Sequence, residues 1–189
     1  MHILNESALT NYMADLFINK YRRQTRRNRT HDYGSNCWYL ITINTFNRKK
    51  HFGEIEAMGD RPSLHPTSIG QIAMDYWLQI PQHYPYVELN AFVIMPNHLH
   101  GILKIQQISN DPGPNKFGGQ KNNLASVVNG FKSSVKRYAN KNRIDFKWQS
   151  NYFESIIYTK GSLEVSRIYV NENLHRADSA SDAKGLVRL

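Results

Sequence analysis

Hydrophobic positions along the chain change their spacing several times, and each change predicts an element. Residues 7 to 18 set Leu9, Tyr12, Met13, Leu16 and Phe17 at helical intervals, which predicts a short leading amphipathic helix. Cys37 to Phe46, CWYLITINTF, gathers β-branched and aromatic residues and runs into turn formers at Asn47 and Arg48, the pattern of a strand. From Thr67 to Ile80 the period lengthens through Ile69, Ile72, Ala73, Tyr76, Trp77 and Ile80, with Thr67 or Ser68 as cap and Pro81 as stop. Tyr86 to Met95 and His98 to Gln106 are apolar runs parted by Pro96 and Asn97, which predicts an antiparallel pair. Leu124, Val127, Val128, Phe131, Val135 and Tyr138 form the buried stripe of a second helix, with Lys132 and Lys136 on a more exposed face. Asn151 to Tyr158 predicts another strand, broken by Gly161. Ser162 then caps a helix with Glu164 in its first turn, running to about Leu174.

The order strand, helix, strand, strand, helix, strand, helix predicts an α+β fold: a ferredoxin-like split βαβ layout with an extra C-terminal helix. Its antiparallel sheet would carry helices on one face and leave the other open to substrate. The segment Ser109 to Gln120, SNDPGPNKFGGQ, reads as a mobile loop, and the tail after His175 as poorly ordered. The expected division is a helix and basic arm over residues 1–30, one domain over 31–175 and a flexible tail over 176–189. There is no internal repeat.

Charge narrows the partners. Lys and Arg number 24 against 15 acidic residues, a formal charge of +9, which points to a polyanion and first to nucleic acid. Lys20 to Arg29 packs Arg22, Arg23, Arg26, Arg27 and Arg29 together with no acid, a density that repels itself unless phosphates lie nearby. From Lys116 to Lys147 a second patch sets eight basic residues, Lys132, Lys136 and Arg137 among them, against the single Asp145. No apolar run approaches the roughly 20 residues of a spanning helix and the N-terminus lacks a signal-peptide pattern, so the expected location is the cytoplasm, without a membrane partner. A single cysteine, Cys37, excludes a disulfide framework and a cysteine-built zinc site.

The candidate chemistry lies in Ala91 to Ile105, AFVIMPNHLHGILKI. In a strand His98 and His100 project from one face while Leu99, Leu103 and Ile105 project from the other. Two neutral imidazoles on one rigid face make two thirds of a divalent-metal site, although two surface histidines show the same spacing. Tyr169 and Asn173 lie four apart on the last helix and share a face. Tyr152 and Tyr158 compete as nucleophiles from a strand context, and Glu154 reads either as a supporting base or as an exposed strand carboxylate.

Taken together, FGEI at Phe52 to Ile55, VELNAFVIMPNHLHGIL from Val87 to Leu103, GFKSSVKR from Gly130 to Arg137, WQSNYFESII from Trp148 to Ile157 and RIYVNEN from Arg167 to Asn173 resemble the single-tyrosine HUH transposases, and within them the transposases associated with repetitive extragenic palindromes. The likeness runs from about Arg29 to Asn173 and departs at Leu174, where this branch usually has proline. It implies that His98 and His100 bind a divalent metal, Mg2+ or Mn2+, with Asn173 as third ligand, and that Tyr169 is the nucleophile of a 5′-phosphotyrosine intermediate. It further implies cleavage and rejoining of single-stranded DNA beside a hairpin, phosphates held by Arg22, Arg23, Arg26, Arg27, Arg29, Lys132, Lys136 and Arg137, and either a monomer or a homodimer. A non-catalytic nucleic-acid-binding module of ferredoxin-like fold is the competing expectation; a hydrolase of small phosphoesters would need carboxylates that the MPNHLH and YVNEN stretches lack, Glu172 apart.

Overall fold

The computed structural model describes residue 28 and residues 30–58, 61–106 and 122–174. The leading helix, the arginine-rich stretch with Arg22, Arg23, Arg26, Arg27 and Arg29, the loop Ser109 to Gln120 and the tail from His175 lie outside the described residues.

In chain order the elements are β1 (Cys37–Asn44), β2 (Gly53–Met58), β3 (Arg61–Pro66), α1 (Ser68–Leu78), α2 (Ile80–His83), β4 (Val87–Met95), β5 (His98–Ile105), α3 (Leu124–Lys141), β6 (Phe153–Ile157) and α4 (Lys160–Asn171). Four strands form a sheet in the order β4-β5-β1-β6, every neighbour antiparallel. With α1 after β1 and α3 after β5, this is the ferredoxin-like split βαβ arrangement expected from the pattern. The hairpin β2–β3, inserted between β1 and α1, was not foreseen. Pro62 and Pro66 make its second strand a poor strand by composition, and the hairpin stands as a sheet of its own. Phe52, just before it, is fully buried in the core, which ties the hairpin to the domain.

Strand alternation builds two layers. Tyr39, Ile41 and Ile43 of β1 and Leu99, Leu103 and Ile105 of β5 face α1 and α3, packing with Ile69, Ala73, Trp77, Val127, Phe131 and Val135. Gly101 belongs to this face, where a side chain would run into the Trp77 ring, so glycine after the second histidine is a packing requirement. Gly130 on α3 leaves room for the Tyr84 hydroxyl, which a Cβ there would displace.

The opposite face is not open, contrary to expectation. Leu40, Val93, Met95, Ile102 and Ile157 form a second apolar cluster there, closed by Val170 with Leu163, Tyr169 and Leu174 packed around it. The even positions of β1 and β5 mix polar and apolar residues, and Leu40 and Ile102 need cover that α4 provides.

Caps and breaks account for the other differences. Thr67 caps α1, its side chain accepting from the Gly70 N–H. Pro81 does not stop the helical path but sits in the first turn of α2. Thr159 rather than Ser162 caps α4, and Gly161 lies inside that helix. The continuous helix ends at Asn171, and after a turn at Glu172 the chain is helical again at Asn173 and Leu174.

Candidate active site

Three elements meet at the histidine pair. The register places Asn44 opposite His98 and Thr42 opposite His100 across β1 and β5, so all four side chains lie on the face that α4 covers. His98 Nε2 and His100 Nε2 are 3.1 Å apart. Each ring is held from behind: His98 Nδ1 lies 2.6 Å from Asn97 Oδ1, and His100 Nδ1 lies 2.7 Å from Thr42 Oγ1. Because the Asn97 oxygen only accepts, His98 carries its proton on Nδ1 and turns the Nε2 lone pair inward. Burial lowers the pKa of His98 to about 4, helped by the positive charge of Arg48. Burial also holds His100 well below the ordinary imidazole value, with the His98 ring and Arg48 adding to it. Both rings are therefore neutral at neutral pH, the form that binds metal.

Arg48 reaches this neighbourhood through a turn that breaks the usual backbone rule. Asn47 and Arg48, in the 3-10 turn after β1, both have φ of 52°.

Helix α4 is capped at its start and tied to the sheet in its second half. The Thr159 cap accepts from the Ser162 N–H at 3.1 Å, and Arg167 Nε donates to Asn90 Oδ1 of β4 at 2.8 Å. That bond joins two of the stretches that carried the family likeness, VELNAF and RIYVNEN. With Val170 fully buried, the preceding Tyr169 turns to the histidines, its hydroxyl 3.3 Å from His100 Nε2 and its ring edge-on to the imidazole at 5.2 Å. Tyr169 and His100 meet within one chain.

Asn173 behaves differently. Its Nδ2 donates to the Tyr169 carbonyl oxygen at 2.6 Å, so this amide is engaged with the turn before it. The remaining candidates lie elsewhere. Glu154 pairs with Ile41 and so faces the main core, on the other side of the sheet from the histidines. It is 7% exposed and receives the Tyr33 hydroxyl at 3.3 Å, which corrects the exposed reading. Tyr152 packs against the main core and Tyr158 stands 72% exposed.

On α3, across the sheet from the histidines, Lys132 Nζ donates to the carbonyls of Gln149 and Asn151, both at 2.9 Å. Lys136 Nζ donates to the Phe146 carbonyl, and the Trp148 indole donates to the Lys132 carbonyl at 3.0 Å. Both lysines are half-buried and clasp the segment leading into β6, whereas Arg137 is exposed beside Tyr76, Tyr84, Tyr138 and Lys141.

A divalent cation fits the pair in one measurable respect. Two nitrogens bound cis to an octahedral ion at about 2.1 Å would stand about 3.0 Å apart, against the 3.1 Å found. Among the described residues there is no group of three or more His, Cys, Asp or Glu that could hold a metal, so further donors would be amides, water or substrate oxygens. Sequence reasoning passed over Thr42, Asn44, Asn97 and Arg48. The alternation LITIN, with polar residues at every second place of an apolar strand, was the available signal for the first two.

No family model matches the chain. An uncharacterized protein of Haemophilus influenzae is 32% identical over 165 residues, covering 81% of this chain and 88% of that protein. Among solved structures, a REP-associated tyrosine transposase bound to a REP hairpin superposes with a TM-score of 0.55 at 17% identity, covering 79% of this chain and 73% of that one. The chain thus belongs to one family with the Haemophilus influenzae protein and has the fold of the REP-associated tyrosine transposase.

Proposed function

We propose that this protein is a metal-dependent DNA strand transferase of transposase type, cleaving and rejoining single-stranded DNA beside a hairpin through a 5′-phosphotyrosine intermediate. The observation that carries the reading is the approach of the Tyr169 hydroxyl to 3.3 Å from His100 Nε2, inside a site of two neutral imidazoles, His100 buried and His98 half-buried. His98 and His100 would hold Mg2+ or Mn2+, and Asn173 is the amide that the family likeness nominates beside them. When bound, the cation supplies Lewis-acid polarisation of the scissile phosphate.

A phenol with an ordinary pKa near ~10 is a weak nucleophile at neutral pH, so position and charge must help it. Arg167 and Val170 hold α4 so that the Tyr169 oxygen stays beside the histidines. Arg48 adds a positive charge that favours an incoming phosphate. The phenolic oxygen forms a bond to phosphorus, the bond from phosphorus to the 3′-oxygen breaks, and the proton lost by the phenol is balanced by the one the 3′-oxygen gains. The number of phosphodiester bonds is conserved, so a second 3′-hydroxyl can reverse the step and join new ends.

A single-stranded oligonucleotide carrying the cognate hairpin, with Mg2+ or Mn2+, should yield a protein-DNA adduct that survives denaturing electrophoresis. Tyr169→Phe should form none, and an adduct formed by that variant would assign the nucleophile elsewhere. The His98→Ala, His100→Ala double variant should lose cleavage while keeping salt-sensitive binding. The competing reading is a non-catalytic nucleic-acid-binding module of the same fold. That reading predicts no adduct from the unaltered chain.

A further inference from the structure

We propose that the carboxamide oxygen of Asn44 is a donor to the divalent cation of the His98 and His100 pair, an inference that rests on the metal-dependent reading above. Asn44 is directly opposite His98 in the register of β1 and β5. Its neighbour on the same face, Thr42, touches His100 through its hydroxyl, which confirms that this edge of β1 addresses the histidines. The side chain is 4% exposed, and its Oδ1 is buried with no hydrogen-bond partner among the described residues.

A buried amide oxygen without a partner is costly and rare, and it calls for a reason. The amide is held in place from the main chain: the Asn44 carbonyl accepts from the Gln149 N–H at 2.9 Å, so β1 keeps its path one residue before the Thr45 turn. Directly opposing residues on one face of an antiparallel pair have Cβ atoms about 5 Å apart. An amide oxygen and an imidazole nitrogen from such a pair can therefore converge on a single ion. The chemistry is complementary, since imidazoles alone favour later metals and Mg2+ or Mn2+ need hard oxygen. Asn173 has its amide nitrogen committed to the Tyr169 carbonyl. Asn44 comes from the end of a strand paired on both sides, not from α4, and would remain a donor while α4 carries a tyrosine-linked strand.

Mn2+ binding to the full chain, followed by isothermal titration and by the electron paramagnetic signal of free Mn2+, reads this without relying on activity. N44A should weaken Mn2+ binding by more than the roughly 10-fold that even a supporting group of a metal site costs. N44D, which restores an oxygen at the same place, should recover most of it. Melting in chelator should be no lower for N44A than for the unaltered chain, because the variant removes an orphaned group. Unchanged Mn2+ affinity in N44A, with binding lost in the His98→Ala, His100→Ala double variant, would overturn the donor role and leave the pair as the metal site. Affinity lost in N44A and not recovered in N44D would mark a packing role and overturn the proposal. Mn2+ binding absent from the unaltered chain, or unaffected by loss of both histidines, would overturn the metal reading itself.

Discussion

Thr42 decides how His100 presents itself. With the hydroxyl 2.7 Å from Nδ1, the ring keeps Nε2 aimed at the site. Thr42→Val keeps shape and removes that partner. Where the pair holds a cation, this should cost about 10–100-fold in Mn2+ affinity, read by titration, with the fold intact by circular dichroism. Burial sets the sign of the acid response. His31, His51, His98 and His100 are all lowered from 6.5 by desolvation, His98 to about 4. Below the unfolded value the unfolded chain binds protons that the folded chain refuses, so these groups stabilise above 6.5 and that stability is lost as pH falls towards the folded values. For His98 alone the loss is at most about 1.4 kcal/mol per pH unit in that window. The metal-free chain in chelator should therefore melt lower at about pH 5 than at neutrality, and a melting point that holds or rises would contradict the desolvated, neutral pair. The common face of His98 and His100 was legible from their spacing. The face and burial of Glu154 were not, because an alternating strand does not say which side receives the helices.

At the level of elements, the motifs sort by what they pack against. Gly101 follows the histidine pair because the Trp77 ring of α1 occupies the space a side chain there would need. Gly101→Ala should cost about 1–3 kcal/mol through overpacking, read from denaturant midpoints, and a neutral result would mean that the ring moves freely. GFKSSVKR looked like a basic patch, yet its two lysines turn inward to main-chain carbonyls. Lys132→Met should lower stability by about 1.5–3 kcal/mol, the value of hydrogen bonds to a charged group. It should leave the salt dependence of DNA binding unchanged; a shallower slope would return Lys132 to the phosphate-contacting set. Side-chain direction on a helix depends on what the next segment offers, and the carbonyls of Phe146, Gln149 and Asn151 carry no mark in the sequence. Arg167→Ala should loosen α4 by cutting its bond to Asn90. The expected result is a larger loss in adduct formation than in global stability, because the helix still has Val170 in the second apolar cluster.

For the whole molecule, the excess of 24 basic over 15 acidic residues predicts strongly salt-dependent binding of a hairpin oligonucleotide. Replacing Arg22, Arg23, Arg26, Arg27 and Arg29 by Gln should flatten the log-log salt slope by about four, at roughly 0.7–0.9 per phosphate contact. An unchanged slope would remove that stretch from the DNA interface. No helix among the described residues is long and apolar enough to cross a membrane. By itself the sequence determined the order of the four sheet strands and of α1, α3 and α4, the α+β class and the sharing of one strand face by two histidines, but not the β2–β3 hairpin. Each of these follows from local periodicity and from caps and breaks within a few residues. Only the tertiary structure decided that α4 folds back over that face, that Tyr169 comes to His100, that Asn44 sits buried opposite His98, and that Lys132 and Lys136 bind carbonyls. Those outcomes depend on which surfaces meet after the chain has closed on itself, and the apolar demand of Leu40, Ile102 and Val93 for cover is a property of the assembled sheet rather than of any stretch of it.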